Sequence, residues 1–245
     1  MVEGINTMLE RLEQGFRRQE RFLADVSHEL KTPVAVLLAQ AQVLGRKART
    51  PEEYDEFAAS VEGEMQRLSE IINSFLLLSR ATAGSRTAMA QTVSLNDVVT
   101  QAVQRCNTLA SHREIKLLAQ LCMPGSKGPE PEVLGDEELL CSMLANLILN
   151  AIRYSPIGEH VEVELAVREG QATLAVRDRG PGLPPDLLPR LFEPFSAASC
   201  GGPKGIGLGL AIARSVAELH GGRISVNSAS GGGCEFCVSL PLGRA

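Results

Sequence analysis

The start of the chain is patterned as a long amphipathic helix. Large apolar residues recur there at intervals of seven positions: Leu9, Phe16, Leu23, Leu30, Leu37 and Leu44. A heptad seam of this kind is typical of a helix that buries one face against other helices. The pattern predicts a first helix from about Ile5 to Arg46.

A second amphipathic helix follows after a short connection. Thr50-Pro51-Glu52-Glu53 combines a proline suited to the first helical position with a capping box. Large apolar residues then recur mostly at threes and fours: Tyr54, Phe57, Val61, Leu68, Ile71, Phe75 and Leu78. Because a two-helix hairpin cannot enclose both apolar seams by itself, we expect two copies to pair as a four-helix bundle.

The remainder of the chain has a different character. After Arg80 the composition changes to the small, polar stretch 81–88, which predicts a linker. Beyond it, helical and strand patterns mix, and the chain closes with a hairpin through 223–226 and 234–240, with glycines 231–233 at the turn. This half therefore predicts a mixed α/β domain.

The first candidate for chemistry is His28. If the leucine seam is position a, His28 falls at position f, which faces solvent, with Glu29 beside it and Thr32 one turn away. A neighbouring acid can hold one imidazole nitrogen and leave the other as a nucleophile. Pro33 removes a helical N–H and so frees the carbonyl of Glu29, which predicts a bent or loosened helix there. An isolated exposed histidine is usually only a polar surface residue. The case for a catalytic His28 therefore depends on the motifs in the second half of the chain.

Two asparagines, Asn146 and Asn150, lie one turn apart on an otherwise apolar helical segment. Asparagine is costly in such a place unless its amide is satisfied. The amide oxygen is a hard ligand of the kind that Mg²⁺ prefers, and Arg153 offers a planar fork to phosphate. The alternative is a structural network of buried asparagines.

Glycine-rich segments complete the pattern. Asp178, Gly180 and Gly182 follow a predicted strand over 172–177, where a carboxylate could accept an exocyclic amine at a pocket floor. A second set, Gly205, Gly207 and Gly209, opens an apolar helix that ends at His220-Gly221-Gly222, and glycines at a helix start favour anion binding. A dinucleotide fold is rejected because this motif comes late in the chain with no acidic partner at the expected distance, and no P-loop motif occurs.

Five segments, taken in order, resemble the sequence boxes of sensor histidine kinases. Residues 22–33 resemble the phospho-acceptor box, and four later segments resemble the N, G1, F and G2 boxes: 146–154, 178–182, 191–195 and 205–209. The resemblance implies an antiparallel helical hairpin that dimerises as a four-helix bundle, followed by an α/β sandwich ATP-binding (Bergerat) domain. That ATP-binding fold is shared with gyrase, the Hsp90 chaperone and MutL.

The resemblance also implies a role for each matched residue. His28 would accept the phosphoryl group, Glu29 would be its acid or base partner, and Thr32 would help to place a water for dephosphorylating the partner. Around ATP, Asn150 would ligate Mg²⁺, Asn146 would lie near the phosphates, and Arg153 and Tyr154 would flank phosphate and adenine.

The glycine-rich boxes would hold the base and the phosphates. Asp178 would accept the adenine amino group in a pocket shaped by Gly180 and Gly182, and Gly205, Gly207 and Gly209 would face the phosphates. The segment 196–204, where the family keeps a mobile lid, is short and has Lys204 as its one basic residue. The implied activity is autophosphorylation from Mg-ATP and transfer to an aspartate of a response-regulator receiver domain, with phosphatase activity toward the same partner.

Gross properties agree with this interpretation. A net charge of −5 over 245 residues gives no reason to expect a nucleic-acid partner. No apolar run approaches the length of a membrane span, and the start has no signal-peptide pattern. Since that start resembles the last turns of a HAMP signal-relay helix, we expect a cytoplasmic fragment of a bacterial inner-membrane sensor, tied to the membrane only through missing upstream segments.

The predicted domains are a HAMP-like end over 1–20, the phosphotransfer hairpin over 21–82, a linker over 83–93 and the ATP-binding domain over 94–245. Six scattered cysteines are interpreted as reduced thiols, with Cys200 as the one that could react. Two rival functions stay open. One is an ATP-hydrolysing chaperone or topoisomerase, and the other is a scaffold or phosphatase-dominated regulator without productive transfer.

Overall fold

The computed structural model describes residues 2–44, 50–83, 91–122, 131–168, 170–195, 207–228 and 232–243. The chain divides into two compact units, Met1–Phe75 and Leu76–Ala245. The predicted helical part and the predicted α/β part are both present.

Two long helices make up the N-terminal part: α1 (Val2–Leu44) and α2 (Pro51–Ala83). The predicted capping box is confirmed, because the Thr50 N–H donates to Glu53 Oε2 at 3.0 Å and the Glu53 N–H donates to Thr50 Oγ1 at 3.3 Å. Helix α1 continues through Pro33. The connection over 45–49 lies outside the described residues.

The apolar seam of α1 is only partly covered within one chain. Val26 and Pro33 are buried and Leu30 and Leu37 are half-buried, but Leu23 is 49% exposed. The side chains of Leu9 and Phe16 lie outside those that the structure describes. Other large apolar side chains of the two helices are also exposed: Val34, Leu38, Val43, Met65, Ile72 and Leu76. Uncovered apolar surface of this extent marks a face that packs against another molecule.

The second part is a layered α/β domain. Its elements are β1 (Thr92–Ser94), α3 (Leu95–His112), β2 (Lys116–Gln120), β3 (Glu132–Leu134), α4 (Glu137–Tyr154), β4 (His160–Arg168), β5 (Gln171–Arg177), a short 3₁₀ turn (Leu188–Arg190), α5 (Gly209–Leu219), β6 (Arg223–Ser228) and β7 (Cys234–Pro241). Strands β1 and β3 pair antiparallel as a small separate sheet, and the main sheet has the order β2-β4-β5-β7-β6.

Alternation along β4 and β7 gives the main sheet a buried face. Strand β7 shows it most clearly, since Phe236, Val238 and Leu240 are buried while the residues between them are half-buried. Helices α3, α4 and α5 carry the matching apolar residues, among them the fully buried Leu147 of α4. Strand β2 joins β4 in parallel and the other pairs are antiparallel.

Local sequence signals set the helix ends around the site. Asp136 caps α4 by accepting the Leu139 N–H at 3.1 Å, and α5 ends at His220 followed by Gly221 at φ +70°. The predicted terminal hairpin is confirmed as β6 and β7, with Gly232 and Gly233 at positive φ in its turn. None of the described helices is long and apolar enough to cross a membrane.

Candidate functional site

The candidate phospho-acceptor His28 is exposed on α1. The Thr32 hydroxyl donates to the His28 carbonyl at 3.2 Å, one turn along the same helix. Glu29 is half-buried, and its carboxylate receives a hydrogen bond from the Arg67 guanidinium of α2 at 3.5 Å. Among the described residues no hydrogen bond joins Glu29 to the His28 ring, which leaves the imidazole open to solvent.

Arg67 is a residue that the sequence did not single out. It lies 38 positions from Glu29, on the other helix of the hairpin. No spacing rule connects two residues so far apart, because their contact depends on how the hairpin packs. The sequence offers only a weak signal, which is that Arg67 is a basic residue among the polar and apolar residues of α2.

On the nucleotide side, α4 presents both asparagines. The Asn146 amide nitrogen donates to the Ser142 carbonyl at 2.9 Å, so its oxygen is left for another partner. A Cβ placed on Gly209 would lie 2.9 Å from that oxygen, which shows that the start of α5 approaches Asn146 closely. Asn150 is half-buried, and its amide oxygen is a hard ligand of the kind that Mg²⁺ prefers.

The end of α4 meets the predicted pocket loop. The carbonyls of Arg153 and Ser155 accept hydrogen bonds from Arg113, at 2.8 and 3.4 Å, which fixes the last turn of the helix. A Cβ on Gly180 would lie 2.9 Å from the Tyr154 carbonyl oxygen. Glycine at position 180 therefore permits the loop to lie against the end of α4.

Asp178 is the buried carboxylate of the site. It is 7% exposed, and its Oδ1 accepts the Gly180 N–H at 2.8 Å and the Cys234 N–H at 3.1 Å. Burial raises the pKa of Asp178, and the two backbone hydrogen bonds oppose that shift. No described residue donates to Oδ2, so this oxygen is available to a ligand that carries an N–H.

The remaining glycines fix loop geometry. Gly182 has φ +82° and Gly207 has φ +76°, a region that favours glycine. The Phe195 N–H donates to the Gly207 carbonyl at 2.9 Å, so the end of the F segment is joined to the start of the last glycine-rich segment. Lys204, Gly205 and Cys200 lie outside the described residues.

The structure thus gathers three predicted segments at one end of the α/β domain. Asn146 lies against Gly209, and Tyr154 lies against Gly180 beside Asp178. Residues of β6 and β7 also form hydrogen bonds to Asp178 and to the loop that follows it. The sequence did not predict these contacts. His28 belongs to the other unit of the chain.

Outside the predicted site, His220 has a structural role. His220 is buried, its Nε2 accepts the Asp136 N–H at 3.1 Å and its Nδ1 bonds the Val216 carbonyl at 2.7 Å, so its side chain caps the end of α5. The five described cysteines are free, and burial raises the pKa of Cys106 to about 12. No group of three or more potential metal-ligating His, Cys, Asp or Glu side chains occurs in the described part of the chain.

Two family models match this chain. Residues 18–84 match the His Kinase A (phospho-acceptor) domain, and residues 135–244 match the histidine kinase-, DNA gyrase B-, and HSP90-like ATPase. The chain belongs to the histidine kinase family. The phospho-acceptor match separates this histidine kinase from chaperones and topoisomerases, which share only the ATPase fold.

Similar sequences support the family assignment, and similar solved structures support the fold. The chain is 37% identical over 223 residues to the sensor-like histidine kinase SenX3 of Mycolicibacterium smegmatis, covering 90% of this chain and 56% of SenX3. A full-length ShkA structure in complex with AMPPNP has a TM-score of 0.66 at 28% identity, covering 92% of this chain and 46% of ShkA. Histidine kinase ThkA in complex with response regulator protein TrrA has a TM-score of 0.71 at 20% identity, covering 95% and 66%. The chain therefore spans just over half the length of SenX3.

Proposed function

We propose that this chain is the kinase core of a sensor histidine kinase that autophosphorylates His28 from Mg-ATP. It then passes the phosphoryl group to an aspartate of a response-regulator receiver domain and also acts as that partner's phosphatase. The observation that carries the proposal is an exposed imidazole on a phospho-acceptor hairpin, in the same chain as an ATPase-type domain with a buried carboxylate.

The acceptor chemistry follows from the surroundings of His28. The unprotonated ring nitrogen attacks the γ-phosphorus, an N–P bond forms, and the bond to the bridging oxygen breaks with its electron pair leaving on ADP. The ring then carries positive charge, which the Glu29 carboxylate stabilises. The Arg67 guanidinium of α2 lies 3.5 Å from that carboxylate, so we assign Arg67 as a positioning residue for Glu29.

In the nucleotide domain, binding and orientation are the main tasks. Asp178 Oδ2 accepts the adenine amino group, while Asn146, Arg153 and the glycines at 207 and 209 serve the phosphates, and Tyr154 lies beside the base. Gly205 would face the phosphates, as the resemblance implies, and any contribution of the lid segment to phosphate binding would come from Lys204, its one basic residue. Such positioning supplies most of the catalysis in phosphoryl transfer, which needs little covalent help from the protein.

Magnesium would be held by Asn150. Asn150 is half-buried, and its amide oxygen has the hardness that this ion prefers. When bound, Mg²⁺ would spread the charge of the phosphate oxygens.

The partners are proposed from chemistry and fold. A second copy of the chain would cover the apolar residues left exposed on α1 and α2. A receiver aspartate would take the phosphoryl group as the N–P bond breaks and an O–P bond forms, and ThkA, which shares the fold, is known in complex with TrrA. Thr32 would help in the phosphatase reaction, by placing a water that dephosphorylates the response regulator. The four predicted domain ranges and the inner-membrane location of a longer parent belong to the same proposal.

The direct test is labelling with Mg²⁺ and γ-labelled ATP. Wild type should gain a phosphate that is labile to acid and stable to base, and His28→Gln should gain none. His112→Gln is the matched control, because His112 is an exposed helical histidine of the nucleotide domain. Acid-labile label on His28→Gln would refute the acceptor assignment. Absence of label on wild type that binds ATP would favour the regulator without productive transfer.

A further inference from the structure

The loop that follows β5 rests on the end of the β6–β7 hairpin. Four backbone-centred hydrogen bonds join them: Asp178 N–H to Cys234 O at 2.9 Å, Cys234 N–H to Asp178 Oδ1 at 3.1 Å, Leu183 N–H to Ser228 Oγ at 2.9 Å, and Gly233 N–H to Gly180 O. We call Ser228, Gly233 and Cys234 the hairpin clamp. All three residues lie outside the five segments that resemble kinase boxes.

The clamp acts on the carboxylate itself. The Cys234 N–H and the Gly180 N–H both bond Oδ1 of Asp178. With Oδ1 held on two sides, rotation of the carboxyl group is restricted, and the position of Oδ2 is set by the same contacts. A hydrogen bond to a nucleobase depends steeply on donor–acceptor distance and angle. A small displacement of the loop therefore changes recognition of the base more than it changes contacts to the phosphates.

Gly233 is the critical position in the clamp. Its φ is +85°, and a Cβ placed there would lie 2.5 Å from the Asp178 carbonyl oxygen, so any side chain must push the loop away. A control position must have a positive φ but no close neighbour, so that a side chain placed there strains the backbone without displacing another segment. Gly170, in the β4–β5 turn, has φ +78°, but a Cβ there would have no neighbour within 4 Å.

We propose that the hairpin clamp positions Asp178 for recognition of the purine 6-amino group, with Gly233 as its positioning residue. This inference rests on the proposed function, since it deepens the role of Asp178 in binding ATP. The clamp touches no reacting atom. It acts through the carboxylate, and its effect is on base discrimination.

The experiment compares binding of Mg-ATP with that of Mg-purine riboside 5′-triphosphate, which lacks only the 6-amino group. Equilibrium titrations would use the full chain as wild type, Gly233→Ala, Gly170→Ala and Ser228→Ala. Wild type should bind ATP at least about tenfold more tightly, the effect of one hydrogen bond to a charged group. Gly233→Ala should reduce that preference at least about fivefold and change the affinity for the analogue less than about twofold. Gly170→Ala should keep the full preference.

Each result has a distinct meaning. If wild type shows no preference for ATP, base recognition by Asp178, and with it the proposed nucleotide role, is wrong. If wild type prefers ATP and Gly233→Ala keeps that preference, the clamp is overturned. It is also overturned if both affinities fall equally, since that marks general damage to the pocket. Should Gly233→Ala fail to fold, Ser228→Ala decides: it should reduce the preference by roughly two- to threefold, through loss of one neutral hydrogen bond, and an unchanged ratio counts against the clamp.

Discussion

The helical hairpin and the nucleotide domain differ in how much of their apolar surface is buried within one chain. In the nucleotide domain the apolar faces of sheet and helices close on each other, and residues such as Leu147 and Phe236 have almost no exposed surface. In the hairpin, Leu23 of the predicted seam remains 49% exposed. The described nucleotide domain thus buries its apolar faces within one chain, whereas the hairpin leaves part of its apolar seam exposed. The proposed phospho-acceptor, His28, therefore lies on the part that leaves apolar surface uncovered within one chain.

The largest expected effect is on dimerisation. Leu23→Lys should weaken it by about 4 kcal/mol, roughly a thousandfold in Kd, since a two-fold interface loses a buried leucine from each copy. Sedimentation velocity over a dilution series measures this. Leu118→Lys is the matched control, because Leu118 is also 49% exposed but lies on edge strand β2. Equal dissociation by both variants would contradict the assigned face.

The complementary change is made in the closed core. Leu147→Ala should lower the free energy of unfolding of the nucleotide domain by about 3 kcal/mol, because Leu147 is 0% exposed and its removal leaves a cavity. Urea unfolding should show the same loss at every protein concentration. Leu109→Ala, at a position 38% exposed on α3, should cost much less. A concentration-dependent loss for Leu147→Ala would show that this core also depends on a partner.

Much of this contrast could be predicted from local sequence. The heptad spacing predicted α1, Thr50 and Glu53 predicted the start of α2, and the two short segments flanking glycines 231–233 predicted the terminal hairpin. These signals act over a few residues, where backbone geometry alone decides which side chains share a face. The bend or loosening predicted at Pro33 stays a prediction, and α1 continues through this residue because one missing hydrogen bond does not end a long helix.

Contacts between distant segments could not be predicted in the same way. Arg67 meets Glu29 only because two helices pack, and the Cys234 N–H reaches Asp178 over 56 positions only because β5 and β7 are neighbours in the sheet. The motif residues were found from their types and spacing. The residues that hold them in place carry no motif, since a backbone N–H can come from almost any residue.

A medium effect is expected at the buried carboxylate. Asp178→Asn should weaken ATP binding by about 2 kcal/mol, roughly thirtyfold, and remove most of the ATP-induced thermal shift. The protein without nucleotide should be as stable as wild type or more so. The reason is that burial raises the pKa of Asp178, so its ionisation costs stability as the pH rises from 3.8 through the raised pKa, and the full cost is present at neutral pH. A thermal-shift assay with and without Mg-ATP separates the two, and a large loss of stability without nucleotide would show that Asp178 is mainly structural.

The smallest effect concerns pH. Burial lowers the pKa of His220 below its usual 6.5, so the unfolded chain binds a proton more readily than the folded one. The stability that neutral His220 contributes is complete above pH 6.5 and is lost as the pH falls from there through the lowered pKa. Urea unfolding between about pH 7.5 and about pH 5 should show a loss of about 1 kcal/mol that His220→Gln reduces. His112→Gln, at an exposed position, should keep the wild-type slope.

The hydrogen bond between Phe195 and Gly207 has a consequence for engineering. It fixes both ends of the eleven-residue segment 196–206 at one point of the domain. Because the entropy of closing a loop grows only logarithmically with its length, doubling this segment should cost only about 0.6 kcal/mol. A fluorescent reporter or an added binding peptide could therefore be inserted after Phe195, ahead of Lys204 and Gly205, while Asp178, the hairpin clamp and α5 keep their places.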